Sequence, residues 1–290
     1  MPTATHLLVI DPQNDFCDLP ADWCGTDPAT GAAHAPALPV PGAHDDMRRL
    51  AAFIDRHRGA IDELTVTLDS HHRHDIAHPG FWRGRDGAAV PPFTTITAAQ
   101  VRAGDFAPAE PTTTARVLAY LDALEARGRY TLMVWPVHCQ LGSWGHAVHP
   151  AVQAACSAWE DAHGRPVQHV IKGCSPWTEH YSAVQAEVPL DDDPDTQLNQ
   201  ALLQRLDGAA LLLIAGEAGS HCVKASTEHL VQHLPGGHPE RLVLLTDAIS
   251  PVAGFEAAQA GFLAAMRAHG VRTLSLDEAA RALPGVAHAG

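Results

Sequence analysis

Short apolar-rich runs alternate along the chain with longer stretches whose apolar positions recur every three or four residues. The runs are 6–10 (HLLVI), 64–68 (LTVTL), 130–135 (YTLMVW), 167–171 (VQHVI), 211–215 (LLLIA), 242–246 (LVLLT) and 271–274 (VRTL). Runs of this length and character predict strands, and the most apolar of them predict strands covered on both faces. The periodic stretches are 43–58, through Met47, Leu50, Phe53 and Ile54, and 113–127, through Val117, Leu118, Leu121 and Leu124. Further helices are predicted over 146–159, 197–206 and 255–268. Strand and helix alternate throughout, so the expected fold is α/β, a mostly parallel sheet covered on both faces. Internal repeats and clean linkers are missing from the sequence. The reading is therefore one domain over 1–290, with long loops at about 18–42 and 83–111.

Several strand ends carry chemistry. The run 6–10 ends at Asp11, and 64–68 ends at Asp69, followed by Ser70 and His71. Alternate residues of an extended segment share a face, so Asp69 and His71 can aim at one point. A carboxylate with neutral imidazoles suits zinc, iron or manganese. His138 follows the run 130–135 and is placed to supply a third ligand. His74 and His78 stand nearby as further ligands or supporting groups, and spacing does not choose between these. The run 167–171 delivers Lys172 to the same sheet edge. In open parallel sheets such strand ends line the ligand crevice.

The stretch 211–230 (LLLIAGEAGSHCVKASTEHL) combines a buried strand, a tight turn and a helix. Ser220 is the expected N-cap, and Cys222 falls in the first helical turn. There the helix dipole and free N–H groups favour a thiolate. A cysteine at such a corner has the form of a nucleophile elbow, although taken alone it reads more readily as a small buried core residue.

Composition narrows the class. The 290 residues carry a net charge of −14, which argues against nucleic acid and anionic membranes as partners. No stretch of about twenty apolar residues is present to span a membrane. The N-terminal MPTATHLLVIDPQ lacks the form of a signal peptide, so the expected location is cytoplasmic. Six cysteines without regular spacing suggest reduced thiols. Of 19 basic residues only Lys172 and Lys224 are lysines. Where arginine is used so freely, a retained lysine points to a site that needs a compact point charge. Lys172 fits that description; Lys224, beside Thr227 and Glu228, is expected on a solvated face. The acidic run 191–195 is also expected in solvent.

Taken in order, Asp11-Pro12-Gln13-Asn14-Asp15-Phe16, Asp69-x-His71, Trp135-Pro136-x-His138-Cys139, Lys172-Gly173 and the turn to Cys222-Val223 resemble the motifs of the isochorismatase-like cysteine hydrolases. Within that superfamily they are most similar to the nicotinamidase (pyrazinamidase) branch. The resemblance implies a three-layer α/β/α sandwich around a parallel sheet of about six strands. It implies Cys222 as nucleophile, Asp11 as general base and Lys172 as third member of the triad, with the amides of Ala218 and Cys222 as oxyanion hole. Asp69, His71 and His138 would hold one divalent transition metal, zinc first and iron or manganese as alternatives. Phe16 and Trp135 would line a ring pocket. The implied substrate is a small aromatic amide such as nicotinamide, and a homo-oligomer is compatible with this.

The chain departs from the family's G-x-A-T-D-x-C-V turn, reading Gly216-Glu217-Ala218-Gly219-Ser220-His221-Cys222-Val223. That leaves the triad in place and opens the question of substrate. Alternatives are another small amide, of carbamoyl or maleamate type, or a non-catalytic binding homologue. Isochorismatase chemistry proper needs no cysteine. A Rossmann nucleotide site is poorly matched, because residues 216–219 lack G-x-G-x-x-G spacing.

Overall fold

The computed structural model describes residues 4–284. The first three residues of the N-terminal segment and the last six of the expected 1–290 domain lie outside them. The chain opens with β1 (Thr5–Ile10), a short helix α1 (Ala21–Cys24), the long α2 (Ala43–His57) and β2 (Glu63–Asp69). Short strands β3 (Trp82–Gly84) and β4 (Thr94–Ile96), helix α3 (Ala98–Arg102) and β5 (Phe106–Pro108) follow. Then come α4 (Thr114–Arg127), β6 (Leu132–Val134), α5 (Pro150–His163), β7 (Gln168–Lys172) and α6 (Gln200–Asp207). The last third is β8 (Leu211–Gly216), α7 (Cys222–His233), β9 (Leu242–Leu245), α8 (Glu256–Ala268), β10 (Arg272–Leu274) and α9 (Leu276–Ala282).

Six strands form one sheet in the order β10-β9-β8-β1-β2-β7, and every neighbouring pair is parallel. The central β1 and β8 are buried along their whole length, as their apolar sequences require. Each Leu or Ile buried there contributes about 1.5–3 kcal/mol. Helix α2 packs on α5 and α9, and α7 packs on α8. Strand order runs one way from β1 to β2 and the other way from β8 to β10, so it reverses between β1 and β8. With right-handed crossovers, helices then lie on both faces, and a crevice opens at the strand C-terminal ends. Ile10 stands beside Gly216, and Asp69 beside Lys172. Four chemically loaded strand ends therefore meet at one place.

Several expectations are corrected. The run 130–135 is not a member of the main sheet: β6 pairs antiparallel with β4 in a separate ribbon. Its apolar character serves a second core, where Leu132 and Val134 pack with Phe81, Trp82, Val117 and Leu121. Residues 83–111 are not a loop throughout, since they hold β4, α3, β5 and most of β3. The helix expected from 146 begins at Pro150, where proline is preorganised for a first turn. The one expected from 197 begins at Gln200, after the capping side chain of Asn199. Ser220 is not the N-cap of α7. His221 holds that position, and Ser220 Oγ instead meets His221 Nδ1 and accepts from Val252 N–H. All six cysteines are free. Among the described residues no helix is long and apolar enough to cross a membrane.

Candidate active site

Lys172 ends β7 with its side chain buried against three oxygens. Its Nζ lies 3.0 Å from Asp11 Oδ2 and donates to Asp69 Oδ1 and to the His180 carbonyl, each at 2.9 Å. Cys222 Sγ is 3.7 Å from the same Nζ. Burial opposes a charged lysine, but Asp11 and Asp69 outweigh it and raise its pKa well above the ordinary value. The surviving lysine thus sits where a compact cation is needed. Lys224 is not in solvent: its Nζ lies 4.6 Å over the Tyr130 ring and 3.5 Å from Glu228.

Asp11 takes a left-handed backbone conformation, φ 45°. Its Oδ1 accepts from Thr67 Oγ1 at 2.6 Å. Oδ2 faces Lys172 without hydrogen-bond alignment to any donor, and the Cys222 sulfur lies against the same ammonium. A lone pair is therefore available for the thiol proton. Burial raises the Asp11 pKa, with Lys172 opposing. Burial also pushes the Cys222 thiol well above its ordinary value, opposed by Lys172 and reinforced by Asp11 and Asp69. The expectation of a resting thiolate is corrected: desolvation and two carboxylates outweigh one ammonium and a helix end. Among the described residues neither the Ala218 nor the Cys222 N–H donates to a protein acceptor. Both remain free to receive an oxyanion.

Asp69 joins this cluster to a second one. One ligand atom each from Asp69, His71 and His138 lies within 4.8 Å of the others, and all three residues are buried. His71 Nε2 is 3.1 Å and His138 Nε2 3.5 Å from Asp69 Oδ2. The remaining ring nitrogens are held. His71 Nδ1 donates to Asp75 Oδ2 at 3.0 Å, and His138 Nδ1 to the Pro136 carbonyl at 2.8 Å. With a metal bound, such outer contacts would fix the tautomers that turn both Nε2 atoms toward it. Burial opposes charge on His71, yet Asp69 and Asp75 raise its pKa well above the usual range. The pocket therefore attracts a cation. The donor set fits one divalent transition metal with positions left open.

His78 stands behind His138, its Nε2 3.3 Å from His138 Nδ1, and burial lowers its pKa to about 3. It supports a ligand ring rather than facing Asp69. His74 is exposed and packs on Phe81.

Phe16, Trp135, Ala218 and Cys222 line one narrow pocket, with Asp69 and His138 in its wall. With Asp11, Lys172 and His71 in contact behind it, the nine residues expected for catalysis, metal and ring pocket gather in one place. A larger hollow of about 540 Å³ lies along the open edge of β7, past Cys174 and Asn199. It borders Lys172 and His180 but reaches neither Cys222 nor His71 and His138.

Sequence reasoning missed the residues that hold the site. Gln13 clamps the Asp69 backbone from both sides, donating to its carbonyl and accepting from its N–H, each at 2.8 Å. Asp15 Oδ2 accepts from Cys139 N–H at 2.7 Å and so fixes the corner after His138. The only signal for them was their place in the motif beginning at Asp11. Glu179, Tyr181 and His221 also line the pocket. Burial raises the Glu179 pKa to about 7 and lowers that of His221 to about 4.

The fold is shared, at low sequence identity, with solved structures described as nicotinamidases, pyrazinamidases and an isochorismatase-like hydrolase. The yeast nicotinamidase Pnc1p superposes with a TM-score of 0.60 at 19% identity, covering 93% of this chain and 99% of its own. A nicotinamidase and pyrazinamidase of Acinetobacter baumanii gives 0.61 at 18%, covering 96% and 99%. The Pyrococcus horikoshii pyrazinamidase in complex with zinc gives 0.51 at 18%, covering 93% and 98%. No protein-family model matches the sequence, and no curated protein does.

Proposed function

We propose that this protein is a metal-containing cysteine amidohydrolase that converts a small aromatic amide, such as nicotinamide, to its acid and ammonia. The observation that carries the reading is the meeting of Asp11, Lys172 and Cys222 within about 4 Å of one ammonium, with a metal-ligand trio sharing Asp69. The solved structures that share the fold support it, being nicotinamidases and pyrazinamidases themselves.

Asp11 accepts the Cys222 proton as sulfur attacks the amide carbon, which needs no resting thiolate. Lys172 stabilises the ionised Asp11 and the sulfur as charge shifts between them. The Ala218 and Cys222 amides take the developing oxyanion. Asp11 returns its proton to the leaving nitrogen, and the C–N bond of the tetrahedral adduct breaks to release ammonia and leave a thioester. Water, deprotonated by Asp11, then attacks the thioester, and Cys222 regains its proton as the acid is released.

Asp69, His71 and His138 would hold the metal, zinc first and iron or manganese as alternatives. When bound it supplies a Lewis-acid site for a ring nitrogen and water. Phe16 and Trp135 flank the ring. A small-molecule substrate in a single 1–290 domain follows from this reading. Ammonia release from nicotinamide, pyrazinamide and a set of aliphatic amides tests it. Pyridine and pyrazine amides should be preferred; preference for aliphatic carbamoyl or maleamate compounds would replace the substrate class.

A further inference from the structure

The turn from β8 to Cys222 carries a second carboxyl, which the proposed chemistry does not use. Glu217 is wholly buried and lies outside the pocket lining. Its Oε2 accepts from Ser250 N–H at 3.1 Å, while Oε1 has no donor. Among charged groups the Asp46 carboxyl, on α2, acts on it most strongly. Ser250 ties the two together, its Oγ donating to Asp46 Oδ2 at 2.6 Å. Two bare carboxylates cannot satisfy one another, whereas a single shared proton can. Oε1 is the atom left to carry it.

The surrounding charges agree. Burial raises the Asp46 pKa, and Ser250 and the Arg49 guanidinium paired with it from the same helix oppose that rise. Asp18 adds negative charge from the loop after β1, and the buried Cys17 thiol lies beside it. Burial, then Asp46, raises the Glu217 pKa well above the ordinary carboxyl value.

This pair grips the turn at the point where the oxyanion would sit. Ser250 N–H is held by the Glu217 side chain, and the Ser250 carbonyl accepts from Gly219 N–H at 2.8 Å. The Glu217 N–H donates to the Ile10 carbonyl at 2.7 Å. Ala218, with its free amide, lies between these anchors.

We infer that Glu217 is a positioning residue for the hydrolysis. As a neutral carboxyl shared with Asp46 it fixes the Ala218 amide, and loss of its proton sets an alkaline limit on turnover. This rests on the reading of Cys222 as nucleophile. Ionisation would place two carboxylates against each other behind the turn, and their repulsion would drive apart the two side chains that Ser250 joins.

The test measures kcat and KM for ammonia release from nicotinamide, from neutral to alkaline pH, together with thermal unfolding midpoints. Glu217→Ala should lower kcat about tenfold or more with a smaller effect on KM, because oxyanion contacts act mainly in the transition state. Glu217→Gln keeps a donor and an acceptor but cannot ionise. It should restore most of that turnover and extend it to higher pH than wild type. A raised carboxyl pKa stabilises the fold below the unfolded-state value and loses that contribution as pH climbs through the folded-state value. The midpoint of wild type should therefore fall relative to Glu217→Gln as pH rises. An unchanged alkaline limb in Glu217→Gln, or wild-type kcat in Glu217→Ala, would overturn the inference. If wild type releases ammonia from no amide, the reading of Cys222 fails. The midpoints then decide the shared proton alone, and a gap that does not widen with pH overturns it.

Discussion

Lys172 Nζ and Asp69 Oδ1 lie 2.9 Å apart, and the other oxygen of that carboxylate faces His71 and His138. One side chain therefore serves the ammonium beside Cys222 and the candidate metal centre. The two centres are distinct but share a wall. Their coupling can be dissected by substitution.

Replacing His138 by Ala should remove most of the bound metal and weaken binding of pyridine amides. It should leave the alkylation rate of Cys222 within about threefold, because the thiol's neighbours are Lys172 and Asp11. Asp69→Ala should affect both, since it also strips Lys172 of a counter-charge. Metal analysis of untagged protein and iodoacetamide kinetics check this. Equal metal content in wild type and both variants would remove the metal site from the account.

Lys172→Arg should be nearly as damaging as Lys172→Ala. The ammonium is a compact charge set among Asp11, Asp69 and the His180 carbonyl, a geometry that a larger planar guanidinium does not reproduce. Removing one member of such a buried cluster costs about 3–5 kcal/mol. Turnover and unfolding midpoints would show it, and an Arg variant with most of its activity would reduce Lys172 to a general source of positive field.

Cys222 should remain a thiol at neutral pH, because burial raises its pKa with the two carboxylates adding to that shift. The thiolate absorbance near 240 nm, taken as wild type minus Cys222→Ala, should be absent at neutral pH and emerge only well into the alkaline range. For Asp11, whose folded-state pKa is raised, catalysis needs the ionised form. The acid limb of kcat/KM should therefore lie above the ordinary carboxyl range of about 4. A full thiolate signal at neutral pH would contradict the proton transfer assigned to Asp11.

Gly216→Ala should destabilise the fold severely. Gly216 has φ 115°, and a Cβ there would fall 1.9 Å from the Ile10 carbonyl oxygen. Backbone contact of that kind cannot be relieved by a rotamer, and a loss of about 3 kcal/mol or more is expected. Chemical denaturation measures it.

The sheet was legible because β1, β8 and β9 are apolar on both faces, which only a covered parallel sheet explains. The site was legible because its residues end strands, and strand ends meet at a switch point. What escaped depended on contacts remote in sequence. An apolar run such as 130–135 looks the same whether the main sheet or α4 and Thr94–Ile96 cover it. The clamp of Gln13 on Asp69 spans dozens of residues and leaves no local pattern. Ser220 has the chemistry of a cap, but its hydroxyl is taken by Val252 and His221. The protonation of Cys222 could not be read from a helix start alone. It depends on two carboxylates delivered by other strands and on the depth of burial.

The central claim is that Cys222 carries amide hydrolysis. It is tested most directly by ammonia release from nicotinamide by wild type, Cys222→Ala, Cys139→Ala and Cys174→Ala, each checked for folding and metal content. Turnover is expected in wild type, with a loss on the order of a thousandfold or more in Cys222→Ala alone. Near-wild-type turnover in Cys222→Ala would contradict it.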